Sequence, residues 1–362
     1  MPATSSFHPG AIWPDDHGVH INAHGGGVLF HDGAYYWFGE HKVAGEAGNA
    51  AHVGVHVYRS RDLYNWADAG IALPVSDDPA SPIVRGCILE RPKVIYCPAT
   101  RRFAMWFHLE PAGGGYAGAL SGVAVAEHPA GPYTFVRSFR PNAGAWPVNA
   151  PPEQCRPLDE TEAAELATME LGGAPRPYFP RDRVFRRDFA AGQLARDMTL
   201  FVDDDGVAYH LYASEDNGTL HISRLTGDFL GCSGRYARAF PGRFHEAPAV
   251  LKHRGRYFLF TSECTGWAPN PARLSVADSI WGPWKELTTP CIGPGAQVAD
   301  TFGSQPTFIL PVAGRPDAYI FMADRWRPAD AIDGRHVWLP IEFHHGMPMI
   351  RWHDEWQLDV FR

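Results

Sequence analysis

The chain is predicted to be all-β, a five-bladed β-propeller with a partly helical insertion between blades two and three. Three observations support this. A strand–turn–strand unit with paired aromatics recurs five times: "HDGAYYWFGEH" (His31–His41), "ATRRFAMWFHLE" (Ala99–Glu110), "DDGVAYHLYASED" (Asp204–Asp216), "HRGRYFLFTSE" (His253–Glu263) and "GRPDAYIFMADRW" (Gly314–Trp326). Each copy is bounded by Gly/Pro turns, the pattern of a repeat that buries its faces against neighbouring copies. Helix signals are few. A pair of packed sheets is the structural alternative.

Blade one opens with "INAHGGGVLF" (Ile21–Phe30) and continues to "VHVYRSRDLYNW" (Val55–Trp66). Its three consecutive glycines read either as a tight turn into the strand or as a close approach of backbone to a ligand or a neighbouring segment. No GK[ST] follows, so a phosphate loop is not indicated. Blade two runs through "CILERPKVIY" (Cys87–Tyr96) and "GVAVAEHPAGPYTF" (Gly122–Phe135). A Pro/Ala/Arg-rich insertion spans about residues 140–195, and its "DETEAAELATMELGG" (Asp159–Gly173) predicts a helix with acidic residues in the first turn and Gly at the end. Blade three is "ARDMTLFVDDDGVAYHLY" (Ala195–Tyr212) with "LHISRLTGDFL" (Leu220–Leu230), where Asp203–Gly206 reads as a hairpin turn. In blade four, "RFHEAPAVLKHRGRYFLFTSECTGW" (Arg243–Trp267) predicts a hairpin of strands at Ala247–Leu251 and Tyr257–Ser262. Blade five holds "TFGSQPTFIL" (Thr301–Leu310) and closes with "VWLPIEFHHGMPMIRWHDEW" (Val337–Trp356).

Composition narrows the functional classes. The 362 residues carry a net charge of -8 and are 45% hydrophobic and 13% aromatic, enough for one large domain covering 1–362. No basic stripe is present, so neither nucleic acid nor an anionic membrane is an expected partner. Aromatic rings in excess suit the faces of sugars. The six cysteines form no CxxC pair, which points to free thiols in a reducing compartment or to incidental buried residues. The N-terminus shows no basic segment followed by an apolar one. The expected location is cytoplasmic, or secreted or periplasmic if a signal has been trimmed.

Inner strands of a propeller line its central channel, so polar residues at strand heads converge on one pocket. Glu90, Asp197, Glu246 and Gln305 occupy that position in blades two to five, and Glu40 ends an aromatic strand of blade one. Any one of them could be structural; their repeated position favours a shared pocket. Paired carboxylates beside aromatic side chains suit glycoside cleavage: one carboxylic acid donates to the leaving oxygen while a second group serves the water or the sugar. Burial or a neighbouring carboxylate raises the acid's pKa.

With these motifs in view, the sequence resembles family 43 of the glycoside hydrolases, five-bladed propellers that act with inversion. The marks are "AHGGGVLFHDGAYYWFGE", "ERPKVIY", "RDMTLFVDDDGVAYHLYASED", "HEAPAVLKHRGRYFLFTSECTGWAPN", "FGSQPTFILP" and "FMADRW". Together they are similar to the exo-β-1,3-galactanase branch. The resemblance implies that Glu246 is the general acid, that Asp197 tunes its ionisation, and that Glu90 and Glu40 bind sugar. The family's usual base, an Asp at the first blade's strand head, is missing: that stretch reads Asn22, Ala23, His24. The branch implies that a fifth-blade Gln, here Gln305, handles the water as its amide or its imidic tautomer. His24, Trp267 and Thr265 are further candidate sugar contacts. No cofactor is required, no metal ligand is assigned, and a structural calcium is possible because some propellers of the family hold one in the channel. The expected partner is an oligosaccharide or polysaccharide. The residues leave open an α-L-arabinofuranosidase, β-D-galactofuranosidase or β-xylosidase of the same fold, and a non-catalytic carbohydrate-binding propeller.

Overall fold

The computed structural model describes residues 4–172, 175 and 178–361. Their strands form five antiparallel sheets in sequence order around a common axis: His24–Pro74, Ile88–Phe139, Met198–Ala239, His245–Glu286 and Gln305–Arg351. The first four sheets have four strands each, and the fifth gains the short strand Cys291–Ile292, which pairs in parallel with Met347–Arg351. This is the predicted five-bladed propeller.

Alternation within the central strands holds the blades together. In Ala34–Glu40 every residue is buried, because both faces of the strand are covered by neighbouring blades. Tyr36 and Phe38 pack toward blade two, with Phe103 and Met105. Tyr35 and Trp37 point the other way, to Ile320, Met322 and Trp338 of blade five. Similar clusters join blades two to three, three to four and four to five. Outer strands such as Thr134–Phe139 lie at the edge of their sheet, and none of that strand's residues is fully buried.

The ring is closed by the ends of the chain. Phe7 and Trp356 exchange backbone hydrogen bonds of 2.8 and 3.1 Å, and their rings stack 4.2 Å apart. Phe7 also touches Trp13 and Tyr64 in the cluster between blades five and one. Phe7→Ala should therefore destabilise the protein by roughly 3–5 kcal/mol, the usual range for emptying a buried Phe site. Urea denaturation followed by tryptophan fluorescence checks this; an unchanged midpoint would mean that the strap does not close the ring.

The insertion forms two short helices, Glu160–Ala167 and Val184–Arg187. Asp159 caps the first, accepting from the Glu162 backbone while Glu162 accepts from the Asp159 backbone, a capping box. The helix is shorter than its sequence suggests. Thr168 ends it by donating its hydroxyl to the Glu165 carbonyl, and Leu166 and Leu171 turn onto the propeller. The expected terminal Gly173 lies outside the described residues. Leu166, Leu171, Phe179 and Val184 pack on Phe244 and Cys264 of blade four, so the insertion forms a wall on the rim of the channel.

The triple glycine is not a turn. It lies within the strand His24–His31. A Cβ on Gly26 would meet the Phe38 carbonyl oxygen at 1.6 Å, and one on Gly27 would meet the Lys93 side chain at 2.7 Å. Close approach of backbone to protein, rather than to a ligand, explains these glycines. No helix of the described residues is long and apolar enough to cross a membrane, and all six cysteines are free.

Candidate active site

Four inner strands carry the same irregularity at their heads. The register shifts between His24 and Gly27, Glu90 and Lys93, Glu246 and Ala249, and Pro306 and Phe308. In the first three, the residue after the strand-head side chain is left-handed: Gly25 at φ 61°, Arg91 at 57° and Ala247 at 49°. A bulge of this kind inserts one residue, bends the strand and re-aims the neighbouring side chain. Here it turns Glu90, Glu246 and Gln305 toward the axis, where they line one cavity of about 780 Å³ with Asp197 and Glu40.

Glu246 sits deep in this cavity with part of its surface open. Asn217 Nδ2 donates to its Oε1 at 2.8 Å, and the buried Cys264 thiol reaches the same carboxyl. Loss of solvent, followed by the charge of Asp197, pushes its pKa up to about 8. The group therefore holds a proton at neutral pH. Asn217 donates to Oε1, so that oxygen serves as an acceptor.

Asp197 is fixed from three sides. Arg91 Nε and Nη2 grip it at 3.2 and 2.9 Å, and the Ala247 backbone N–H donates to it at 3.1 Å. The Ala247 N–H is aimed there by the same bulge that exposes Glu246. Arg91 is buried and also donates from Nη2 to Gln305 Oε1 at 2.6 Å and from Nη1 to the Pro306 carbonyl at 3.2 Å.

Across the cavity, Glu90 accepts from the Tyr116 hydroxyl at 2.8 Å and contacts His108 Nδ1 at 3.1 Å. Burial would raise its pKa, but the His108 contact, Lys42 and Tyr116 outweigh this and hold it at about 2. His108 itself lies between Glu90 and the buried Glu110. Against its burial, these two carboxylates push it to about 9, so the His108 imidazolium is the counter-charge of Glu90. Glu40 is raised by burial, in opposition to Lys42, whose Nζ lies 2.6 Å away.

Seven of the eight residues expected at the site line the cavity: Glu246, Asp197, Gln305, Glu90, Glu40, Trp267 and Thr265. Trp267 is 38% exposed at the mouth, edge-on to Trp326 at 5.6 Å. The Thr265 hydroxyl is taken up within its own loop, donating to the Ala268 carbonyl and accepting from Asn270. His24 is placed elsewhere. It is buried behind the cavity, stacked on His336 at 4.8 Å and 3.5 Å from Asp324. Arg91, His108, Tyr116, Asn217 and Trp326 line the cavity without having been singled out in the sequence.

A calcium ion in the channel needs six to eight oxygen ligands. The centre of the propeller instead holds the buried Lys93 amine, which donates to the Gly25 carbonyl at 2.8 Å, and the nearby Glu40 and Asp197 carboxylates are paired with Lys42 and Arg91. The His24–Asp324–His336 cluster offers two imidazoles and one carboxylate, a set poor in oxygen. Neither set fits calcium.

Comparisons with known proteins show the family. Residues 184–294 match the model of "Glycosyl hydrolases family 43". A family 43 β-1,3-galactosidase, BT3683, solved with galactodeoxynojirimycin, is 47% identical; the match covers 97% of this chain and 100% of that one, with a TM-score of 0.90. A second β-1,3-galactosidase, BT0265, is 33% identical over 99% of this chain and 65% of its own, with a TM-score of 0.81. An exo-β-1,3-galactanase from Phanerochaete chrysosporium, solved with galactose, is 32% identical over 99% of this chain and 70% of its own, with a TM-score of 0.77. No curated protein sequence matches the chain. By identity, coverage and site geometry, the chain belongs to family 43 of the glycoside hydrolases.

Proposed function

We propose that the protein releases galactose from the non-reducing ends of β-1,3-linked galactan or arabinogalactan-type chains, with inversion at the anomeric carbon. The observation that carries this is the placement of Glu246 in a sugar-sized cavity with Asp197 beside it, where burial and then the Asp197 charge push its pKa up. Similarity to β-1,3-galactosidases supports the choice of sugar. Gly172 and Pro175 of the insertion close part of the cavity, which supports removal of end units over cleavage within a chain.

Glu246 gives its proton to the glycosidic oxygen as the C1–O bond breaks, and a water attacks C1 from the opposite face through an oxocarbenium-like transition state. Glu90, kept ionised by the His108 imidazolium, accepts hydrogen bonds from sugar hydroxyls. Trp267 and Trp326 offer ring faces to the sugar beyond the cleaved bond.

The test is galactose release from β-1,3-galactobiose and longer oligomers, with proton NMR to identify the first anomer. α-Galactose is expected first. Aryl α-L-arabinofuranoside, β-D-galactofuranoside and β-D-xyloside are run in parallel, and release only from one of those would move the substrate. Binding with no release from any of them would make the protein a carbohydrate-binding propeller. The pH profile gives a further prediction. Glu246 works protonated, so kcat/KM should fall as pH rises through about 8, the value to which burial and Asp197 raise it. A basic limb below pH 6 would remove Glu246 from the acid's role.

A further inference from the structure

The seam where blade five meets blade one holds a cluster of buried titratable groups behind the cavity wall. His24 begins the first strand of blade one. Asp324 and His336 face each other on adjacent strands of blade five, Tyr319–Arg325 and Arg335–His344. All three side chains are buried, and they offer ligand atoms that lie within 4.8 Å of one another. Asp324 Oδ1 is 3.5 Å from His24 Nδ1 and 3.2 Å from His336 Nδ1.

The contacts around the cluster leave it short of a cation. His336 Nε2 lies 3.0 Å from the Ile21 carbonyl, which can only accept, so Nε2 carries the ring hydrogen and donates. In the neutral ring Nδ1 then turns a lone pair toward the Asp324 carboxylate. Neither nitrogen of His24 has a hydrogen-bond partner among the described residues. A second proton on His336 would make its contact an ion pair and would leave His24 as it is. The distances separate the two cases. Charge-assisted N–H···O bonds run about 2.7–2.9 Å, and elsewhere in the chain His56, His108 and His221 each reach a carboxylate at 2.7 or 2.8 Å. The longer separations at Asp324 are close to those between ligand atoms around a tetrahedral zinc, about 3.3 Å for bonds of about 2.0–2.1 Å.

We infer that His24, Asp324 and His336 bind zinc, or a similar divalent ion that favours imidazole, and that this ion staples blade one to blade five. Two imidazoles with one carboxylate form a donor set for zinc as surely as they are a poor one for calcium. Outer contacts already orient the ligands, as they do in metal sites generally. The Ile21 carbonyl fixes the His336 ring, and the Gly25 backbone N–H donates to Asp324 Oδ2 at 3.1 Å. Gly334 packs its backbone on the His24 ring, where a Cβ would come within 2.6 Å of Cε1 and 2.9 Å of Nδ1. The place gives the ion its effect. It ties the first blade to the last, beside the strap made by Phe7 and Trp356, and an ion held only by the folded chain stabilises that chain by mass action.

The test uses the untagged protein, stripped with a chelator, loaded with zinc and passed through gel filtration. Zinc retained per chain is counted by plasma mass spectrometry. One zinc per chain is expected, and zinc at a hundredfold over its dissociation constant should raise Tm by about 3–4 °C. Calcium should give no rise. No retained zinc with an unchanged Tm overturns the inference, as does an equal rise with calcium. Asp324→Asn keeps the side chain's shape and should lose both the zinc and the zinc-dependent rise. If Asp324 served only an ion pair with His336, the variant would melt lower with and without zinc, and the gap between the two would persist. Asp15, Asp16 and His17 also lie close enough to share an ion, near the surface. His17→Ala should therefore leave the retained zinc unchanged, and its loss in this variant would place the ion there. X-ray absorption at the zinc edge of the loaded wild type reads the ligands directly, even where a variant fails to fold. Two imidazoles and a carboxylate oxygen are expected; one imidazole or none overturns the inference.

Discussion

Replacing Glu246 with Gln should lower kcat on β-1,3-galactobiose by about 10³-fold, within the usual range for losing a general acid. The amide retains an oxygen to accept from Asn217, whose Nδ2 donates to Glu246 Oε1 at 2.8 Å, so the side chain keeps its place. It also removes a titratable group next to Asp197 without adding volume. Galactose binding should persist, because the proton is needed only as the glycosidic bond stretches. The leaving group provides the control. A dinitrophenolate leaves without protonation, so a dinitrophenyl β-galactoside should lose far less activity than the disaccharide. Equal losses on both substrates would mean that Glu246 binds sugar and does not protonate it. The expected effect is large because, on this reading, Glu246 is prepared as the acid at some expense to stability. Burial and a neighbouring carboxylate keep Glu246 protonated to about pH 8. Such strain is tolerated at a working site and has no structural benefit at this one.

Much of this site could be read from the sequence because strand heads leave a mark there. In "HEAPAVL" and "SQPTFIL" a polar residue sits just ahead of Pro and an apolar run. The five-fold recurrence then places those polar residues around one axis. What could not be read depends on backbone geometry. The apolar neighbours of Arg91 in "CILERPKVIY" suggest burial but give it no role; a bulge with φ 57° turns it inward to Asp197 and Gln305. A left-handed arginine leaves no compositional trace. Asn217 lies in a run of three left-handed residues, Glu215 to Asn217, at the end of a strand hairpin. The "DNG" there signals a turn, but not that the amide would face a carboxyl in the next blade. His24 illustrates the converse. Its position matched a sugar contact by order along the chain, but it packs behind the wall, stacked on His336 and beside Asp324. Tyr116 comes from a Gly-rich loop whose path is set by Arg196, which donates to the Tyr116 carbonyl at 2.9 Å. Contacts of this length along the chain are outside the reach of local pattern.

Asp197→Asn should move the basic limb of the pH profile to lower pH. The sign follows from the charges that face Glu246. Asp197 raises the Glu246 pKa, while Arg91 and Arg196 lower it. Neutralising Asp197 removes the raising charge and leaves Arg91 without its carboxylate, so both changes favour ionised Glu246. Activity should therefore be lost most at pH 7–8, where the wild type still holds its proton, and least near pH 5. The two readouts separate tuning from folding. Arg91 would keep the Gln305 oxygen and the Pro306 carbonyl, but its partner of opposite charge would be gone. Breaking a buried pair by removing one partner costs about 3–5 kcal/mol. The Asn oxygen can still accept from the Ala247 N–H, which should hold the loss to the lower part of that range. Urea denaturation measures the stability change, and kcat/KM from pH 4 to 9 measures the limb. A variant that is less stable but keeps the wild-type limb would make Asp197 a structural anchor for Arg91. A limb displaced downward, at whatever stability, would show that the carboxylate sets the pH at which Glu246 can act.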